Sequence, residues 1–462
     1  MFFHVIKKLW VLFFVAVLLG ACQKKELASI APTEVVAAAA LKEGGNGHLK
    51  QTKTFSSDVV VRWLNQQLNM FRLPLAPNTS APAADRTWAY SGITLYEAVV
   101  PGMPAYQSLS GQLNALPQMP STEPGKAYHW AASANAALAA INRNLFSNTS
   151  QANKDLMNQL EAELQAQYAT EVDDATLQRS IQFGRSVAQT VWTWAQGDGT
   201  SLIAQQPAYV PPVGPGIWTK EYSAAPAANA YHRLRRQMVE DSRDDASAPP
   251  LPFAFSTDPG SSFYKMAKEV YDISQSLTTE QRNTALYHRE GSGYGGGSSV
   301  AGQLAAVFTK ADAKLDKAAL AFAKVGIGSF EAQTLTFIQK YDPSFLVMRP
   351  ISYIKNYMGY ANWSTVYPTP PYPEYPAGHP TNGGMLSVML ADEFGSDFSF
   401  DVDYYNYLGL PSRHYNSFDE LADEMAIARV YAGIHFKPAV YAGKALGKKV
   451  AQNILNRLRF QK

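Results

Sequence analysis

The sequence predicts an all-α protein, a packed helical bundle with long functional loops. Three observations carry that expectation. From Ser56 onward apolar residues recur at mixed three- and four-residue steps, the period of a helix with one buried face. Alternating, strand-like patterns are scarce. Proline clusters at 207–215, 249–252 and 368–380 mark long connections that helices cannot cross. There is enough material for a large core: of 462 residues, 46% are hydrophobic and 12% aromatic. Only 17% are charged, which excludes wholesale disorder. The 31 glycines and 28 prolines follow no fixed period, which excludes a collagen-like chain.

The helical patterns follow in order. Ser57 and Asp58 precede Val59, Val60, Val61, Trp63, Leu64 and Leu68, a capped amphipathic start. Further helices are expected over 87–100, 131–145, 154–168 and 175–195. The next expected set is 263–274, 300–325, 331–339, 384–393, 418–434 and 440–458.

The N-terminus reads differently. Lys7 and Lys8 precede an apolar stretch from Leu9 to Leu19, too short to span a membrane comfortably. Leu19-Gly20-Ala21-Cys22 is similar to a bacterial lipobox, in which the cysteine is lipidated and becomes the new N-terminus. Cys22 is the chain's single cysteine, so the fold has no disulfide. Residues 1–22 are therefore expected to be a lipoprotein signal peptide. Residues 23–55, small and polar, are expected to be a flexible tether. Residues 56–462 then form one all-α domain. That arrangement implies a lipid anchor in a membrane of the bacterial cell envelope, in the outer membrane or facing the periplasm. Lysine and arginine total 40 against 38 acids, a near-balance that gives no reason to expect nucleic acid as a partner.

Two of the eight histidines stand out by context. His379 lies in a stretch, Pro370-Pro371-Tyr372-Pro373-Glu374-Tyr375-Pro376-Ala377-Gly378-His379-Pro380, with five prolines in eleven residues. Such a loop is stiff and non-helical. Gly378 lets a backbone N–H approach a ligand closely, and the following apolar run puts a helix N-terminus, a good oxyanion site, nearby. The alternative is an incidental histidine on a proline-rich surface loop. His435 lies six residues after Arg429. On one straight helix the two would not share a face. They converge only if the helix ends or bends between them, which Gly433 permits. A structural arginine–carboxylate pair and a core histidine explain this segment equally well. Arg349, set in the apolar run Phe345-Leu346-Val347-Met348-Arg349-Pro350-Ile351, needs its charge answered. Guanidinium forks suit tetrahedral oxyanions, and a histidine can attack phosphorus or ligate a metal oxide.

Together these residues resemble the superfamily of vanadium-dependent haloperoxidases and type 2 phosphatidic acid phosphatases. Its ordered signatures are K-x6-R-P, P-S-G-H and S-R-x5-H-x3-D. They align with Arg349-Pro350, with Pro376-Ala377-Gly378-His379, and with Arg429 followed after five residues by His435. Upstream, Ala84-Asp85-Arg86-Thr87-Trp88-Ala89-Tyr90 and Leu95-Tyr96-Glu97-Ala98-Val99 look like the first helical region of the bacterial haloperoxidase-like branch. Leu277-Thr278-Thr279-Glu280-Gln281-Arg282 looks like its middle region. Three positions depart. Lys340 has eight residues before Arg349 rather than six, so either two residues are inserted around Pro343 or Asp342 takes the lysine's place. Ala377 replaces the serine. The final aspartate falls at Ala439, so His435 is expected to lack its orienting carboxylate.

The resemblance implies one of two chemistries. In a haloperoxidase, vanadate is the cofactor and hydrogen peroxide and halide are the substrates. His435 ligates vanadium, while Lys340, Arg349, Arg429 and the Gly378 N–H hold its oxygens. His379 is the acid–base group and Tyr372 the halide-side aromatic. In a phosphatase, which needs no cofactor, His435 attacks a phosphoester and His379 protonates the leaving oxygen. The long helical half before Arg349 favours the first. In a third reading the chain is a catalytically decayed surface binding lipoprotein, as the three departures would allow; Arg349, His379, Arg429 and His435 found dispersed would discard both enzyme readings.

Overall fold

The computed structural model describes residues 50–72, 83–223, 225–290 and 299–462. Cys22, the expected signal peptide and most of the expected tether lie outside the described residues. In the N-terminal half α1 (Asp58–Arg72), α2 (Ala84–Val99), α3 (Trp130–Leu145), α4 (Gln151–Tyr168) and α5 (Asp174–Ala195) pack on one another. A short α6 (Thr200–Ala204) follows, then α7 (Ser262–Gln275) and α8 (Thr279–Tyr287). The C-terminal half holds α9 (Ser299–Lys310), α10 (Leu315–Lys340), α11 (Pro350–Tyr357), α12 (Gly378–Phe394), α13 (Phe418–Tyr431) and α14 (Lys437–Arg457). Among the described residues the only sheet is a hairpin, β1 (Phe400–Val402) against β2 (Arg413–Tyr415), with Phe400 opposite Tyr415. The protein is all-α.

Local chemistry sets the helix starts. Ser150, Asp173, Ser261 and Ser417 each accept a backbone N–H three residues on, and Thr278 with Gln281 forms a complete capping box ahead of α8. Where the structure departs from the sequence expectation, the reason is local. The helix expected over 300–325 breaks between α9 and α10, where Asp312 turns left-handed at φ 42°. Its second part runs on through 331–339, giving a 26-residue α10. The helix expected from 384 begins at Gly378, because Pro380 falls in the first turn, where its missing N–H costs nothing. The helix expected to reach 434 stops at Tyr431.

Residues 50–55, expected at the end of the tether, are instead packed on the domain. Thr52 is fully buried and its hydroxyl donates to the Val99 carbonyl at 2.8 Å, while the Phe55 carbonyl accepts from Leu315 N–H at 3.0 Å. Burial of Thr52 and Phe55 outweighs the polar composition around them.

Helix α10 is buried along almost its whole length and lies against α2, α12 and α14. The α12–α14 contact positions the candidate site. Gly443 and Gly447 of α14 let that helix press directly on the backbone of Ala377 and Thr381, where any Cβ would collide. The Ala377 N–H donates to the Ala439 carbonyl at 3.1 Å. The start of α12 is thereby fixed beside the start of α14, and His435 lies just before the latter.

Candidate active site

Three chain segments meet at this crossing. The first is the extended run before α11. Pro350 occupies the first helical position, so Arg349 becomes the N-cap in an extended conformation, φ −73° and ψ 154°. The run is gripped on both sides: Trp218 N–H donates to the Leu346 carbonyl and Met348 N–H to the Gly216 carbonyl, while the Val347 carbonyl accepts from Glu374 N–H at 2.9 Å. The Arg349 side chain is 1% exposed. Its Nε donates to the Tyr372 carbonyl and its Nη1 to the Ile434 carbonyl, and Nη1 also lies 3.0 Å from Nε2 of His435. Its Nη2 is buried without a partner.

The second segment joins α13 to α14. Gly433 is left-handed at φ 76°, and Ile434 N–H turns back to the Arg429 carbonyl at 3.2 Å. Helix α13 therefore ends between Arg429 and His435, the condition under which the two can converge. Arg429 is buried. Its Nη1 donates to the His288 carbonyl and its Nη2 to the Tyr367 hydroxyl, and its Nε is left unpartnered. Among the described residues neither Arg349 nor Arg429 forms an ion pair within 4 Å.

The third segment is the proline loop and the first turn of α12. The N-cap of α12 is Ala377, which has no side-chain acceptor, so the N–H of Gly378 at the first helical position has no partner within the helix. Gln333 of α10 braces the turn by donating to the Gly378 carbonyl at 2.9 Å. His379 is in this first turn, not in the loop proper. Its Nε2 lies 2.9 Å from Oε2 of Glu290. Burial and Arg429 lower its pKa, against the pull of Glu290. Burial opposes ionisation of Glu290, but His379, the Ser299 hydroxyl and Arg429 outweigh it and hold that carboxyl down at about 2.

One expectation is overturned here. His435 does not lack an orienting carboxylate. Its Nδ1 lies 2.9 Å from Oε1 of Glu374, and the same oxygen accepts the Phe436 N–H at 2.8 Å. The acid comes from the proline loop rather than from position 439, where Ala439 is fully buried under the start of α12. An oxygen that accepts a backbone N–H acts as acceptor toward the ring as well. Nδ1 then carries the proton and Nε2 keeps its lone pair. Burial, then Arg349, Lys340, Arg429 and His379, push the imidazole pKa well below its usual value. Burial raises the Glu374 carboxyl to about 7, opposed by Arg349, Lys340 and the Phe436 N–H.

The lysine question also resolves. Asp342 is exposed and accepts the Ser344 N–H at 2.8 Å, starting the 3-10 turn Pro343–Phe345. It does not stand in the lysine's place, and this turn absorbs the extra residues. Lys340 is fully buried at the end of α10, with Nζ donating to the carbonyls of Pro373 and Glu374 at 2.9 Å each. Tyr372 is half-buried, its ring centroid 4.9 Å from the Arg349 guanidinium and 5.3 Å from Lys340 Nζ.

Arg349 is in contact with His435, and Arg429, His379 and Lys340 lie near enough to influence its ring; Gly378 and Tyr372 are on the same proline-loop segment as His379. The geometry adds residues that sequence reasoning missed. Glu374 carried a signal, being the one acid in a proline-rich apolar stretch. Glu290, the His288 carbonyl, Tyr367 and Gln333 carried none.

The arrangement suits a tetrahedral oxyanion: two orphaned guanidinium nitrogens, uncapped helix N–H groups and a histidine lone pair. A family model described as the VCPO second helical-bundle domain matches residues 320–461, the region that contains all seven of these residues. A solved bacterial vanadium-dependent iodoperoxidase is 27% identical, with a TM-score of 0.78 over 88% of this chain and 98% of its own. Residues 320–461 thus match that family's second domain, and the fold over most of the chain is similar to that of the bacterial iodoperoxidase. The holo form of a bacterial vanadium-dependent chloroperoxidase shares the haloperoxidase fold at 16% identity, with a TM-score of 0.64 over 88% of this chain and 98% of its own. No curated protein sequence matches the chain.

Proposed function

We propose that this chain is a vanadium-dependent haloperoxidase that oxidises halide with hydrogen peroxide. The observation that carries the reading is the pair of buried guanidiniums without ion pairs, Arg349 and Arg429, each with one unpartnered nitrogen beside His435. Two buried guanidiniums carry more positive charge than the Glu374 carboxyl near Arg349 answers, and a bound oxyanion would supply the rest. Vanadate, when bound, activates peroxide for attack by halide, giving hypohalous acid. Nε2 of His435 is the coordinating atom, because Nδ1 is committed to Glu374. Arg349, Arg429 and the Gly378 N–H neutralise the oxygens, and Lys340 adds positive charge from behind the loop. His379 would be the group that takes up the proton released by peroxide, with Glu290 2.9 Å from its Nε2 to stabilise the cation. Tyr372, whose ring lies against the Arg349 guanidinium, would be the halide-side aromatic.

The test is halogenation of a dye by purified protein with orthovanadate, peroxide and halide. Iodide is the first halide to try, since it is the easiest to oxidise and a structural relative is an iodoperoxidase. Vanadate should also raise the melting temperature, the native state gaining about 2.7 kcal/mol at a hundred times Kd. Hydrolysis of a phosphoester without halogenation would make the chain a phosphatase. Neither activity, with no thermal shift, would make the site a decayed one.

A further inference from the structure

Two departures from the superfamily signature, the displaced Lys340 and the missing acid at Ala439, meet at one residue. Oε1 of Glu374 bridges the His435 ring at 2.9 Å and the Phe436 N–H at 2.8 Å, while the Glu374 carbonyl accepts from Lys340 Nζ at 2.9 Å and its N–H donates to the Val347 carbonyl. The side chain is fully buried. Every backbone polar group of Glu374 is thus tied to α10 or to the run carrying Arg349. Both hydrogen bonds that Lys340 makes go to the proline loop, to the carbonyls of residues 373 and 374. We propose that Glu374 is the positioning residue of His435, doing from the proline loop what the signature assigns to position 439. We propose further that Lys340, shifted by two residues, has become the pin that holds this loop in place. This rests on the oxyanion reading above.

The physical case is one of geometry. A ligand atom must be held in direction and in tautomer. A carboxylate on the far ring nitrogen does both and makes the near nitrogen more basic. An acid at 439 has no room: the Ala439 carbonyl receives the Ala377 N–H, and the Ala439 side chain is fully buried. The tight crossing of α14 on α12 through Gly443 and Gly447 leaves the proline loop as the segment that reaches Nδ1.

The experiment uses the full chain, with histidine labelled by nitrogen-15, and inorganic vanadate and inorganic phosphate as probes. Without any oxyanion, the spectrum should show His435 protonated at Nδ1 and bare at Nε2. A proton on Nε2 would overturn the proposal whatever vanadate does. Glu374→Gln keeps the shape and an acceptor but loses the charge. Its Kd for vanadate should rise about tenfold, and that of Glu374→Met toward a hundredfold, the usual worth of such an outer partner. Phosphate, which takes no coordinate bond from the ring, should bind Glu374→Gln as tightly as the unaltered protein or more tightly, since a negative charge has gone from beside the arginines. If both anions weaken equally, or vanadate affinity is unchanged, Glu374 does not position His435. If Glu374→Met fails to fold, Glu374→Gln alone decides. Failure of the parent reading looks different: the unaltered protein would bind no vanadate while its His435 tautomer stays as described.

Discussion

At the scale of the residue, the two histidines have unequal surroundings and should have unequal effects. His435 is buried between a carboxylate and a guanidinium, whereas His379 is in a half-exposed first turn paired with Glu290. His435→Ala removes the coordinating nitrogen, so vanadate binding and turnover should disappear together. His379→Ala leaves both arginines and His435 in place. Vanadate should still shift the melting curve, while halogenation falls by roughly 10²–10⁴, the usual worth of a positioned acid–base group. The reverse pattern in calorimetry and turnover would mean the roles are exchanged. The residue types of this site were legible because arginine, histidine and glycine in apolar or proline-rich stretches are uncommon. Glu374 was read as part of a flank, because nothing in a linear sequence says which acid lies within 3 Å of a given ring.

At the scale of the element, the site depends on where α13 stops. Gly433 takes φ 76°, and a Cβ there would stand 3.1 Å from the Trp363 ring. Gly433→Ala should therefore cost about 1–2 kcal/mol in urea unfolding, the penalty of a left-handed alanine. It should also weaken vanadate binding by moving His435 off the pocket; stability and affinity both unchanged would refute this account of the turn. A second element-scale effect concerns α2. Glu97 is 1% exposed, and its carboxyl accepts the Leu109 N–H at 2.7 Å and the Ser108 hydroxyl at 2.8 Å. Burial outweighs these bonds and lifts its pKa from 4.5 to about 7. Because the folded value is the higher one, the stabilisation is complete below about pH 4.5 and is lost as pH rises through 7. Glu97→Gln, which does not titrate, should gain on the parent protein by up to about 3 kcal/mol between pH 5 and 8. A stability difference independent of pH would contradict the assigned direction.

At the scale of the whole molecule, no helix among the described residues is long and apolar enough to cross a membrane. We propose, from the lipobox-like run before Cys22, that the domain is held at the envelope by a lipid on that thiol. Cys22→Ala should leave the membrane fraction or remain unprocessed. Unchanged fractionation of the variant would rule lipidation out. The packed residues 50–55 shorten the stretch that can serve as a tether, since Thr52 and Phe55 are anchored to α2 and α10.

What the sequence by itself determined is the periodic part of this protein. Helical class, most helix bodies and the order Arg349, His379, Arg429, His435 follow from spacing that survives in one dimension. Helix ends were less legible, because they depend on single backbone angles: Asp312 splits one expected helix, and Gly433 ends another three residues early. Only the tertiary structure decided how the site is completed. Ala439 reads as the loss of an acid, and Lys340 as a lysine out of register. Folding brings Glu374 to the far nitrogen of His435 and Lys340 to the carbonyls beside it. The physical reason is that a hydrogen bond requires an acceptor at the right distance and direction, whichever segment supplies it. In this protein the close crossing of α12 and α14 leaves that place to the proline loop.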